Sequence, residues 1–119
     1  MPLHFYTRQI RKGEEQTDLR LLDITVGSGN KIFAPSWQMV KGLKAKTLSW
    51  EEYTKMFYQK MRKSYIKNQL DWNMLLGRDT AILGCYCHKN SNCHRFLLAE
   101  ILQKLGAIYE GELENGNNY

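Results

Sequence analysis

The last third of the chain constrains its fold most. "TAILGCYC", residues 80–87, is a short apolar run with the composition of a buried strand. After the loop "HKNSN", "CHRFLLAEILQKLG" places Leu97, Leu98, Ile101, Leu102 and Leu105 on one helical stripe, and Gly106 stops it. "AIYEGEL", residues 107–113, reads as another strand. Strand, loop, helix and strand in that order favour parallel strands joined by a right-handed crossover.

Upstream, strands are expected over residues 3–8 and 19–26, the second apolar on both faces near its middle as a buried strand should be. "GSGN" then breaks it. "APSWQMVKGL" suggests a short helix with Pro35 near its entry, where a missing N–H costs little. In "SWEE", Ser49 and Glu52 have capping-box spacing. From there Trp50, Tyr53, Phe57, Met61 and Tyr65 recur at helical intervals over about four turns, a stripe that belongs in a core. "NQLDWNMLL" continues as a second helical piece ended by Gly77. The chain therefore reads as a single α/β domain over residues 1–114, with about four mostly parallel strands, helices on both faces and a flexible tail over 115–119.

Composition narrows the class. At 119 residues and 43% hydrophobic, the chain supports one core. No window holds the ~18 apolar residues of a membrane span, and "MPLHFYTRQIRK" lacks a signal-peptide core, so a cytoplasmic location is expected. Three clustered cysteines argue against a disulfide-stapled scaffold. The net charge of +5 is uneven: residues 41–67 carry Lys41, Lys44, Lys46, Lys55, Lys60, Arg62, Lys63 and Lys67 against Glu51 and Glu52. Such a face suits an anionic partner, a nucleotide or, less well, nucleic acid, although a solvated lysine-rich helix looks the same. No recognised DNA-binding pattern is present. A homo-oligomer is compatible with the sequence.

"CYCHKNSNCHR", residues 85–95, holds all three cysteines and two of the three histidines. It joins a strand end to a helix start, where open α/β sheets bind ligands and where unpaired N–H groups favour phosphate. Ser91 or Asn92 can cap the helix. Arg95 and His94 fall in the first turn, and Arg95 can hold a phosphate by two parallel hydrogen bonds. On a parallel edge Arg8 adds charge, Asp23 reads a hydroxyl or amine, and Gly27, Ser28 and Gly29 permit close backbone approach, though a lone G-x-G is equally a plain turn. Tyr6 or Trp37 can stack on a base, with packing as the default for both.

Two other readings of this stretch stay open. Cys85, Cys87, Cys93 and His94 offer three thiolates and an imidazole, enough for tetrahedral zinc. The spacing is not that of a zinc knuckle, however, and the adjacent Cys93 and His94 would have to turn onto one ion. Cys85 reads first as a buried strand thiol, and no cofactor is expected. Cys93, at a helix start beside His94 and Arg95, has the setting of a low-pKa thiol, a nucleophile with His94 or His88 as base. The candidate catalytic residues are thus Cys93, His94 and Asp23.

"ILGCYCHKNSNCHRFLLAEILQKLGA" resembles the signature of the domain-of-unknown-function family 488: a strand ending in Cys-x-Cys, a short loop, then Cys-His-Arg opening a Leu-rich helix. "LLDIT" is similar to the strand bearing that family's Asp, here Asp23; bacterial members usually have Arg two residues later, where this chain has Thr25. "FYTRQI" fits the family's start, with Thr7 and Arg8 at the strand end, and "FAPSWQMVKGLKAKTLSWEEYTKMFYQKMRKS" looks like the branch seen in phages and some bacteria. The resemblance implies a small Rossmann-like three-layer sandwich and no settled activity. With the charge, it favours a pocket for a phosphorylated or nucleotide-derived small molecule, lined by Thr7, Arg8, Asp23, Ser28, Cys87, Asn92, Cys93, His94 and Arg95. By analogy with small phage proteins that sequester bacterial immune nucleotide signals, a binding role without chemistry is one expectation. An enzyme acting on a nucleotide or nucleic-acid component through Cys93, His94 or Asp23 is the alternative.

Overall fold

The computed structural model describes residues 2–11, 13, 17–87 and 92–113. Four strands, β1 (His4–Gln9), β2 (Leu21–Asp23), β3 (Thr80–Cys85) and β4 (Ile108–Leu113), form one sheet in the order β2-β3-β1-β4, and every pairing is parallel. The helices are α1 (Trp37–Lys44), α2 (Trp50–Lys67), α3 (Gln69–Leu76) and α4 (His94–Lys104). The protein is an α/β sandwich of Rossmann-like character.

Sequence explains the boundaries. Pro35 stands at the entry to α1 as expected, and Ser36 after it caps the helix by accepting from the Met39 N–H. At α2 the capping box forms in both directions: the Glu52 N–H donates to Ser49 Oγ, and the Ser49 N–H donates to the Glu52 carboxylate. That helix runs 18 residues, a turn longer than its aromatic stripe suggests, and Ser64 in its last turn is tied inward, donating to the Ile32 carbonyl and accepting from the Trp72 indole N–H. β2 is only three residues long. Asp23 ends it by accepting the Thr25 N–H on its own side chain, which turns the chain away from the ladder.

One core lies between the helices and the sheet face carrying Phe5, Ala81 and Leu83, with Met39 from α1, Tyr53, Phe57 and Met61 from α2, Trp72 from α3, and Leu98 and Leu102 from α4. On the opposite face the covering is chain rather than helix among the described residues: Ile10 and Leu21 close over Gly84. The direction of the connections accounts for this. β2 to β3 and β3 to β4 step the same way across the sheet, so right-handed crossovers put their helices on one face. The β1–β2 connection steps the other way.

β4 carries a bulge. Phe5 pairs with Tyr109 and Tyr6 with Gly111, so Glu110 is the extra residue. Gly111 takes φ of 117°, a conformation only glycine adopts cheaply. The bulge reverses the alternation, so Tyr109 and Glu112 share the helix face while Glu110 turns outward to His4, 2.6 Å away.

Candidate ligand site at the carboxyl edge of the sheet

The connection leaving β1 runs one way across the sheet and that leaving β3 runs the other. Their carboxyl ends, where Gln9 pairs with Cys85, therefore border the switch point at which such folds bind ligands. Two groups of the expected residues meet on this edge.

The first group surrounds Asp23. One carboxylate oxygen accepts the Thr25 N–H at 2.9 Å and the other accepts the Ser28 hydroxyl at 2.8 Å. Ser28 Oγ also lies 3.0 Å from Thr25 Oγ1 and 3.2 Å from the Tyr86 hydroxyl, which reaches over from the end of β3. The loop that builds this group is tight: the Asn30 N–H donates to the Asp23 carbonyl and the Gly29 N–H to the Thr25 carbonyl. A side-chain carbon on Gly29 would lie within 2.6 Å of three backbone atoms of Asp23 and Thr25, so the loop closes only around glycine. Trp37, more than half exposed, packs its ring over Gly27, and Tyr86 is exposed as well. Of the two suggested stacking residues, Trp37 stands beside the Asp23 loop; Tyr6 lies mid-strand on β1.

The second group is the sulfur cluster. Cys85 Sγ lies 3.3 Å from Cys93 Sγ and 3.7 Å from Cys87 Sγ. His94 Nδ1 lies 3.9 Å from Cys85 Sγ and 3.8 Å from Cys93 Sγ. The other ring nitrogen, Nε2, is 2.7 Å from the Ile24 carbonyl, which joins this cluster to the Asp23 loop. Adjacent Cys93 and His94 converge because Cys93 is the N-cap of α4, with extended backbone, while His94 is already helical. Cys85, Cys93 and His94 are buried; Cys87 is half-buried. All three cysteines are free, and Cys85, Cys93 and His94 together could ligate a metal ion.

This environment reverses the expectation for Cys93. Its thiol is pushed up, not down, by its contacts with the Cys85 and Cys87 sulfurs and by burial. Cys85 is also raised, chiefly through Cys87. Cys87 is lowered, because Cys85 and Cys93 donate to it and His94 and Arg95 lie near. Burial lowers the pKa of His94. Any low-pKa thiol of this chain is therefore Cys87, and proximity to a helix start did not reveal it because the sulfur–sulfur contacts depend on tertiary approach.

Arg95 is fully buried, and its donors are engaged. Nε and Nη2 bind the two oxygens of Glu112 at 3.2 and 3.0 Å, and Nη1 donates to the Cys87 carbonyl at 2.9 Å. The expected two-pronged grip exists, but its carboxylate is supplied by β4. Sequence reading missed Glu112 because only the bulge turns it inward. Thr7 is likewise buried, bonded to the Tyr109 hydroxyl at 2.5 Å. Arg8 is half-buried at the end of β1 on the other sheet face, opposite Gly84. Asn92 is exposed and borders an open groove of about 510 Å³ between α2 and α4, where Cys93, Trp50, Tyr58, Phe96 and Tyr109 also lie. His88 and Ser91 fall outside the described residues, as does the tail. No described helix is long and apolar enough to cross a membrane.

No curated protein and no solved structure matches the sequence significantly. The family model described as the "Active DUF488-N3 subclade" matches residues 7–106, a span that includes Asp23, the sulfur cluster and all of α4, and the chain belongs to that DUF488 family.

Proposed function

We propose that the protein binds a phosphorylated, nucleotide-derived small molecule across the carboxyl ends of β2, β3 and β1. The observation that carries this reading is the half-buried Asp23 carboxylate, held from both oxygens and flanked by two hydroxyls and the exposed Trp37 ring, beside the switch point of a parallel sheet. A fixed carboxylate suits a sugar hydroxyl or an amine, and an exposed indole suits a base. The charge of Arg8, which by register shares a sheet face with Asp23, suits phosphate, and α4 starts at the same edge on the helix face. Arg95 acts here as a positioning residue: it fixes the Cys87 carbonyl and anchors α4 to β4. The net charge of +5 steers an anion toward the protein. A role as a sponge for a nucleotide signal needs no more than this.

Calorimetric titration with ADP tests the reading. The expected result is saturable binding that weakens ~10–100-fold in Asp23→Asn, the equivalent of losing a hydrogen bond to a charged group, while the variant's circular dichroism is unchanged. No heat of binding with ADP or with AMP, or equal affinity in Asp23→Asn, contradicts it.

Catalysis at the same edge is the second reading, favoured by the family's description as active. Asp23 is its candidate base and Cys87 its candidate thiolate, in place of Cys93. Recovery of a chemically altered nucleotide after incubation, abolished in Asp23→Asn, selects it; quantitative return of the intact nucleotide selects binding alone.

A further inference from the structure

We propose that Cys85, Cys87, Cys93 and His94 form a closed tetrahedral site for zinc that locks the end of β3 to the start of α4. The distances carry the idea. Bonds of ~2.3 Å from zinc to sulfur and ~2.0 Å to nitrogen place neighbouring sulfurs roughly 3.8 Å apart and sulfur and nitrogen about 3.6 Å apart at tetrahedral angles. The cluster has sulfur–sulfur separations of 3.3 and 3.7 Å and sulfur–nitrogen separations of 3.8 and 3.9 Å. Cys85, Cys93 and His94 Nδ1 make one face of the tetrahedron. Cys87 Sγ, half-buried and 3.7 Å from Cys85 Sγ, stands outside that close-set group of three and takes the fourth position by turning its side chain inward when the metal binds.

The histidine supplies an independent argument. A carbonyl oxygen only accepts, so the 2.7 Å contact between Nε2 and the Ile24 oxygen puts the ring proton on Nε2. Nδ1 is then left with its lone pair directed at two sulfurs. A backbone carbonyl on the far nitrogen is the usual way a ligating histidine is oriented. Phe57 stacks obliquely on the ring, 5.7 Å away, and Tyr53 is buried close to the cysteines, so an aromatic wall keeps water out. Three thiolates and one imidazole leave a zinc centre with one negative charge, and Arg95, bound to the Cys87 carbonyl, lies alongside to offset it. Four protein ligands leave no open position, so the metal is structural. A closed centre of this kind leaves the Asp23 loop and Arg8 to the ligand reading and excludes Cys87 as the thiolate of the catalytic one, since all of its ligand positions are filled.

Elemental analysis of the full chain, purified without chelator and dialysed, tests it. About one zinc per chain is expected. After removal of that zinc, titration with cobalt(II) should give d–d absorption of tetrahedral intensity together with thiolate charge-transfer bands, and His94→Gln should weaken cobalt binding more than the ~10–100-fold that losing a supporting contact costs. The unsubstituted chain carries the decisive readout, so a variant that fails to fold leaves the test intact. Zinc that dialyses away overturns the proposal. So do three thiols that react with Ellman's reagent at the same rate with and without equimolar zinc, and a mass two hydrogens low, which marks a Cys85–Cys93 disulfide.

Discussion

Arg95 lies one residue inside α4 with a carboxylate and a carbonyl on its three donor nitrogens. A buried charge of this kind is costly to orphan, so Arg95→Ala or Glu112→Gln should destabilise the fold by ~3–5 kcal/mol in urea unfolding. Replacing both partners with apolar residues of similar volume should cost less than the sum of the two single changes. A loss under ~1 kcal/mol in either single variant would show the pair to be solvated instead. Gly29 is the second sensitive residue. A methyl group there meets backbone and has nowhere to go, so Gly29→Ala should lower the melting temperature and weaken ADP binding together, whereas Gly27→Ala, with only the Trp37 ring at 3.5 Å, should leave the melting temperature nearly unchanged. At this scale the sequence was partly legible. Asp23, Ser28, Cys87 and the Cys-His-Arg run could be singled out by type and spacing, and they do gather at one edge. Glu112 and Tyr86 could not, because an acidic residue on a strand and a tyrosine between two cysteines look ordinary until the partner strand and loop are in place.

The elements were more legible than their ends. α2 announces itself through Ser49, Glu52 and the aromatic stripe, and Tyr53, Phe57 and Met61 are indeed buried. Ser49→Ala should cost about 1 kcal/mol by thermal or urea unfolding, since it removes the acceptor for the Glu52 N–H. The pKa of Glu52 is lowered, mainly by the Ser49 backbone hydrogen bond. Its stabilising effect is therefore present above the carboxylate's unfolded pKa and fades as pH falls through the folded value. An acid limb of the stability curve that is equally steep in Glu52→Gln would contradict that assignment. β2 was overextended because "ITV" has strand composition, whereas Asp23 captures the next N–H but one and ends the ladder. Leu105, expected on the α4 stripe, is exposed because the helix stops at Lys104. The β4 bulge had no sequence signal beyond one glycine, and without it Glu112 would face away from Arg95.

At the scale of the whole molecule, strand order decides where function can sit. A parallel sheet was legible from the strand–loop–helix–strand run, but the order β2-β3-β1-β4 was not, since it depends on which side each crossover takes. That order brings the Asp23 loop, the sulfur cluster and the end of β1 to one edge; on α2, Lys55, Lys63 and Lys67 are exposed, while Lys60 turns in to the carbonyls of Lys31 and Ala34. A chain acting through those lysines would instead bind nucleic acid with an affinity falling steeply in salt. The most direct test of the central claim is a ¹⁵N–¹H correlation spectrum of the full chain titrated with ADP. The account predicts shifts concentrated at residues 23–29, Tyr86, Cys87 and the first turn of α4. Shifts confined to the exposed face of α2, or none at saturating nucleotide, would contradict it.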